Sequence, residues 1–334
     1  MRVVFTIVLA ASACAAPTSA PESYPPFPEV TSNEVRACVD GDCAYQSVES
    51  ALVAATDGST VRILPGVYRD GGILRAHGVH VEAEGAYLFD AAWEDKANLV
   101  IKGNDAVIEG LRCSHIRVPD ANGACIRAEG RNLTLRRVHF HDSQTGVLSG
   151  RTAGRIVVES SVFERLGNRG EELGNAHALY IGSIDEFVLR DSRVVASAGE
   201  GHEVKSRAAR TLIEACVIAS LSGRDSRQID LPNGGDIVIR GNVLEKGPNS
   251  ENRQLIGIGM ERGQGHGTDH VLNRALIENN MVLDDRLGRI ELVATRDVPD
   301  PVLRDNRIIE DRASAGMGDF PFLPDVAKVK ETGR

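Results

Sequence analysis

The chain reads as an all-β protein, a single-stranded right-handed parallel β-helix with an N-terminal capping helix. Three observations predict it. A short apolar segment recurs eight times, at 106–113, 133–140, 156–163, 187–194, 211–218, 237–244, 275–282 and 301–309. Two columns inside the repeat stay apolar: Ile108, Leu135, Val158, Leu189, Ile213, Ile239, Ile277 and Leu303, then Cys113, Phe140, Phe163, Val194, Ile218, Leu244, Val282 and Ile308. The residue after the first column alternates in sign through all eight segments: Glu109, Arg136, Glu159, Arg190, Glu214, Arg240, Glu278, Arg304. A repeat of this length is one coil that buries its apolar side only by stacking on its neighbours. Stacked parallel strands lie about 4.8 Å apart, so the alternation makes each lateral neighbour attractive, at about 0.2–1 kcal/mol per exposed pair. Its larger effect is on register, because a one-residue slip carries charge into the apolar column. This column is structural. Ser161, Ser192, Asn242, Asn280 and Asn306 share one position between the columns, which suits a turn with stacked side-chain amides.

Composition agrees. Of 334 residues, 42% are hydrophobic and 25% charged, which excludes a disordered chain. Aromatics at 4% and 34 glycines suit short strands with glycine turns better than a helical bundle. The net charge of −9, without a basic block, argues against nucleic acid as a partner. A locally basic groove remains open to an acidic polymer.

In chain order, Met1-Arg2 and the apolar run Val3 to Ala13 read as a secretory signal, too short to span a bilayer. Residues 1–20 are assigned to it. Ala11-Ser12-Ala13-Cys14 resembles a bacterial lipobox, which would lipidate Cys14; ordinary cleavage after Ala20 is the other reading. Either takes the mature protein to the periplasm, the outer membrane or the exterior. Residues 21–44 hold a Pro/Ser-rich tether and a small loop that Cys38 and Cys43 can close as a disulfide. The six cysteines fit no zinc spacing, and Cys113, Cys125 and Cys216 read as buried thiols in apolar registers. Residues 45–56 carry the apolar spacing of a short amphipathic helix that plugs the open end, followed by a strand and turn over 60–68. The β-helix spans 45–310. Residues 311–334 form a C-terminal tail over the last coil, and a monomer is expected.

Two coils are long, 31 and 38 residues, and mark insertions at 164–175 and 261–273. Loops on a solenoid commonly make its binding face. Between these insertions Tyr180, Lys205 and Asp230 recur at steps of 25 residues, each preceded by an apolar residue: Leu179, Val204, Ile229. Strand alternation points the apolar three inward and sends Tyr180, Lys205 and Asp230 outward, together with Glu203 and Gln228. Arg127 is expected lower in the same column, His177 and His202 stack one coil apart, and Arg207 follows at the strand end. Such a mixture around one groove is a catalytic palette. The plainer reading of Lys205 is a solvated salt-bridge ladder with Asp230 and Glu203. His266-Gly267-Thr268-Asp269-His270 reads as a polar loop, with metal binding the lesser reading.

Lys205-Ser206, on an outward strand of a secreted β-helix, resembles the Lys-Ser motif of the chondroitinase B and alginate lyase family, over residues 200–242. That resemblance implies an acidic, uronate-containing polysaccharide as partner and β-elimination with the lysine as Brønsted base. It also implies an assisting arginine in the next coil and, often, a calcium ion bridging enzyme and uronate. Where the family places its arginine this chain has Leu231-Pro232-Asn233-Gly234. On this reading Lys205 is the base, Tyr180 or His202 the acid with His177 beside them, and Arg207 or Arg227 neutralises the uronate carboxylate. Ca²⁺ held by Glu203, Asp230 or Glu261 is the other neutraliser, and Arg127, Arg227 and Asn233 bind substrate. Three other functions stay open. They are a glycoside hydrolase using Glu203 and Asp230, a C5-epimerase reusing the lyase residues, and a non-catalytic glycan-binding envelope protein.

Overall fold

The computed structural model describes residues 34–152, 154–168, 174–286 and 288–309. The signal segment with Cys14, residues 21–33 of the tether and the tail 311–334 lie outside the described residues. Each coil gives one short strand to each of three sheets, of eleven, ten and nine strands, stacked in chain order. Strand pairs between coils are parallel, and one continuous apolar core runs between the sheets. This is a right-handed parallel β-helix. No helix among the described residues is long and apolar enough to cross a membrane.

Both apolar columns face the core in the expected register, and the charged column stacks outside it. Glu159 accepts from both Arg136 and Arg190, and Arg240 donates to Glu214 at 2.7 Å. The stack also extends below the eight repeats: Glu34–Ala37, Thr60–Ile63 and His80–Glu82 join the first sheet, so it begins inside the segment read as tether. There the alternation fails, with Glu82 directly under Glu109. Cations relieve the clash, since Arg62 bridges to Glu82 at 2.8 Å and Arg137 to Glu109 at 2.5 Å. At the far end Leu303 and Ile308 are half exposed, because no described coil covers them.

The corner between the first two sheets is made by one left-handed residue per coil. Gly110, Arg137, Ser160, Asp191, Ala215, Gly241, Asn279 and Asp305 all have φ between 49° and 74°. The next position carries the amide ladder. Asn242 Oδ1 accepts from the Cys216 amide at 2.9 Å, and Asn242 Nδ2 donates to Ile213 O at 3.1 Å and to Asn280 Oδ1 at 2.9 Å. Asn280 Nδ2 donates in turn to Asn306 Oδ1 at 2.9 Å. Asn242→Ala strands these buried partners, and a loss of about 1–3 kcal/mol is expected. A urea midpoint that falls at unchanged m-value checks it.

The helix is shorter than the sequence spacing suggests, Val48–Ala54, with Ser47 as its N-cap and Val48, Ala51 and Leu52 buried against the first coil. Cys38 and Cys43 are bonded as expected. Cys113 and Cys125 correct the buried-thiol reading: they form a disulfide, Cα atoms 5.8 Å apart. Both point inward from successive strands of one coil, Arg112–Ser114 and Ala124–Ala128, so the core brings them together. Cys216 is free and buried, and burial pushes its thiol up to about 12.

Candidate active site

The outward column of the third sheet runs Arg127, Leu148, Tyr180, Lys205, Asp230, Gly257. Leu179, Val204 and Ile229 lie fully buried beneath it. The period read from the sequence therefore places Tyr180, Lys205 and Asp230 on neighbouring strands facing one way. Arg127 shares the column but sits two coils below Tyr180, beyond Leu148, and pairs with Glu129 at 3.4 Å.

Two cations meet one carboxylate at the centre. Lys205 Nζ donates to Glu261 Oε1 at 2.7 Å, and Arg207 Nη2 donates to Glu261 Oε2 at 2.5 Å. Arg207 Nε donates to the Tyr180 hydroxyl oxygen at 3.2 Å, and both cations lie within 5.7 Å of the Tyr180 ring centroid. Burial alone would raise the Glu261 carboxyl, but the bonds from Lys205 and Arg207 hold it down at about 2. The folded state thus binds this proton less tightly than the unfolded chain. The stability it contributes is present above the ordinary value of 4.5 and is lost as pH falls towards 2. Glu261→Gln is expected to flatten the acid limb of a plot of Tm against pH.

Glu261 belongs to the second insertion, which is tied down over this column. Asn233 Oδ1 accepts from Arg207 at 2.6 Å, and its amide donates to His266 O at 2.8 Å and Asp269 Oδ1 at 2.9 Å. Thr268 N–H donates to Ser183 Oγ at 3.1 Å, and His270 Nε2 lies 3.0 Å from the Arg207 carbonyl. At Gly267, with φ +82°, a Cβ would stand 3.0 Å from Arg207 Cδ, so only glycine lets the loop press this close. Arg262 Nη1 donates to the Asn233 and His270 carbonyls, both at 3.0 Å. The length of the 38-residue coil marked the insertion, but nothing in the sequence showed that Arg262, Asp269, His270 and Ser183 clamp it down.

Behind the column the two imidazoles stack, centroids 5.0 Å apart and planes at 10°. His177 Nδ1 accepts the His202 amide at 2.9 Å, and His202 Nδ1 accepts the Arg227 amide at 3.1 Å. The backbone therefore fixes both tautomers with the proton on Nε2, and His202 Nε2 points at Asp230 Oδ2, 3.5 Å away. Burial first, then nearby positive charge, lowers both imidazoles well below their ordinary value. Asp230 is 1% exposed, bridged to Arg227 at 3.2 Å and 3.9 Å from Lys205 Nζ. Burial pushes its carboxyl up against the pull of Lys205 and Arg227. At Gly257, the next step in the column, a Cβ would come within 2.9 Å of Asp230 Oδ1 and Arg227 Cδ, so glycine keeps this ion pair in place.

Three expectations change. Glu203 does not face the groove. It precedes the strand Val204–Ser206, at a corner where alternation no longer applies, and is fully buried with Ser197 donating to it through both hydroxyl and amide. Gln228 is turned away in the same manner, towards Ser220 and Asp225. Asn233 spends its side chain on Arg207 and the loop rather than offering it to a substrate. The residues also do not fit a calcium ion. Glu203 lies in another cluster, both Glu261 oxygens are taken by cations, and no three His, Cys, Asp or Glu side chains among the described residues gather into a metal cluster. For the same reason Glu203 and Asp230 are not a hydrolase pair.

Fold and side-chain cluster together define a parallel β-helix protein with a charged site on its third sheet. In structure the chain is similar to alginate lyase AlyGC of the PL6 family, with a TM-score of 0.52 and 13% identity over 86% of this chain. It spans 41% of that enzyme's length. Weaker likenesses are a pectin methylesterase from Aspergillus niger (TM-score 0.43, 12% identity, 84% of this chain and 86% of that one) and the GH136 lacto-N-biosidase from Eubacterium ramulus (0.42, 9%, 82% and 67%). The first likeness shows a shared fold. No protein-family model matches the chain, and no curated protein matches it by sequence.

Proposed function

We propose that the chain is a carbohydrate-active enzyme, a polysaccharide lyase that cleaves an acidic, uronate-containing polysaccharide by β-elimination. The observation that carries this reading is the pairing of Lys205 and Arg207 on one carboxylate, beside the Tyr180 hydroxyl, on an outward column. That an enzyme of this fold is named an alginate lyase agrees with it. β-Elimination needs a cation on the uronate carboxylate, a base for the C5 proton and an acid for the departing oxygen. Arg207 supplies the cation. Lys205, as the free amine, takes the C5 proton; the C4–O bond breaks, its electron pair leaves with the oxygen, and a C4=C5 double bond forms. The Tyr180 hydroxyl gives its proton to that oxygen. His202, 3.5 Å from Asp230, and His177, whose ring meets that of Tyr180 edge-on at 5.1 Å, are positioning residues rather than proton donors.

Rising near-ultraviolet absorbance from an unsaturated product, on a panel of uronate polymers, tests the reading; no absorbance with any of them counts against it. Tyr180→Phe is expected to slow that signal about 10²-fold or more with KM little changed. A second reading has one observation in its favour. Asp230 and Glu261 flank Lys205 with carboxyls displaced in opposite directions, the pattern of an acid and its partner in a glycoside hydrolase. New reducing ends without unsaturated product would select it.

A further inference from the structure

The contact between Glu261 and the Lys205–Arg207 pair has the geometry of ligand recognition. Each cation directs one N–H to a different oxygen of the same carboxylate, at 2.7 and 2.5 Å. We propose that Lys205 and Arg207 form a carboxylate-binding subsite and that Glu261 occupies it as an internal stand-in for the uronate carboxylate, which displaces it on binding. This rests on the uronate reading above and adds how the site is kept closed to other ligands.

Three features support displacement. Glu261 is the most exposed of the three side chains, 23% against 10% for Lys205 and 7% for Arg207, so it is the member an arriving ligand meets first. Its backbone is fixed separately, with its amide donating to Pro232 O at 3.0 Å and the following loop held through Asn233 and Ser183. Rotation of one side chain therefore opens the subsite while the clamp stays shut. Charge also balances. Lys205, Arg207 and Arg227 face Asp230 and Glu261, and a substrate carboxylate exchanged for Glu261 leaves that count unchanged. A neutral sugar entering the same place would strand two poorly hydrated cations, so the stand-in sets selectivity for acidic sugars.

The test is calorimetric binding of glucuronate, with glucose as neutral control, to the parent protein and to Glu261→Gln. Glucuronate association is expected to rise at least tenfold in the variant while glucose binding stays unchanged. Unchanged or weaker glucuronate binding by folded Glu261→Gln overturns the proposal. Should circular dichroism show that variant unfolded, Glu261→Asp, which shortens the reach by one methylene, carries the same expectation and the same refutation. Turnover plays no part in this readout. Tighter glucuronate binding with no elimination product removes the lyase reading and keeps the subsite, whereas elimination product with unchanged binding does the reverse.

Discussion

Lys205→Ala should abolish product formation, with kcat falling by about 10²–10⁴-fold, while the fold is retained. The residue is only 8% exposed, but its stem stands on the outer face of the strand Val204–Ser206, and the core beneath is filled by Val204. Its loss removes an ion pair at the groove and leaves Glu261 with Arg207 as partner. Packing damage should therefore be small and the chemical damage large. Lys205→Arg keeps the positive charge and both carboxylate partners but has no accessible free-base form. It is expected to be as inactive as alanine yet as stable as the parent. A rate measured on uronate polymer, beside a urea midpoint for each variant, separates the two effects. An active Lys205→Arg would show that the residue serves as a cation and not as a base.

The largest stability effect is expected at Lys246→Met. Lys246 is fully buried, donates to the Ser226 carbonyl at 2.6 Å, and is the cation among Glu203, Asp225 and Glu245, all buried to within 1%. Burial pushes its ammonium down to about 8, with Asp225 opposing. Removing one partner of a buried ionic group costs about 3–5 kcal/mol, a large share of the roughly 5–15 kcal/mol that holds a domain folded. Burial raises the carboxyls of Glu203 and Asp225, so the folded state holds their protons more tightly than the unfolded chain does. The stability they lend is full below the ordinary carboxylate range and is lost as pH rises through their folded values. Without the ammonium those values climb further. The deficit of Lys246→Met should thus be greatest at neutral pH and shrink as pH falls towards 4. A variant as stable as the parent at pH 7 contradicts this account. The cluster also bears on the groove, since Glu203 and Gln228 lie just ahead of the strands that carry Lys205 and Asp230.

How far the sequence could be read follows from where periodicity holds. A strand inside a stack obeys a two-residue rule, so the apolar columns, the charged column and the Tyr180–Lys205–Asp230 line were all legible. Arg127 was placed in its column for the same reason, although its distance from Tyr180 depends on coil count and was not. At corners the rule lapses. Glu203 lies one residue before its strand and turns inward, and no pattern in the sequence distinguishes that from an outward position. Cys113 and Cys125 meet because a corner folds two strands of one coil together, a contact that spacing alone does not specify. The coils beneath Glu109 were placed in the β-helix from residue 45, but their register and the strand Glu34–Ala37 were not read, because these strands are short and their charges break the alternation at Glu82. The deepest gap concerns Glu261. It is 56 residues from Lys205, at the start of an insertion, and the salt bridge depends on how that loop lies across the sheet. Coil length announced the loop, while its acidic side chain gave no sign that it would sit on the cations.

Digestion of a uronate polymer in heavy-oxygen water tests the central claim most directly. Elimination breaks the chain without consuming water, so the account predicts fragments with one unsaturated end and no heavy oxygen at the new reducing ends. Heavy oxygen incorporated at those ends, without an unsaturated partner, would contradict it and assign the groove to hydrolysis.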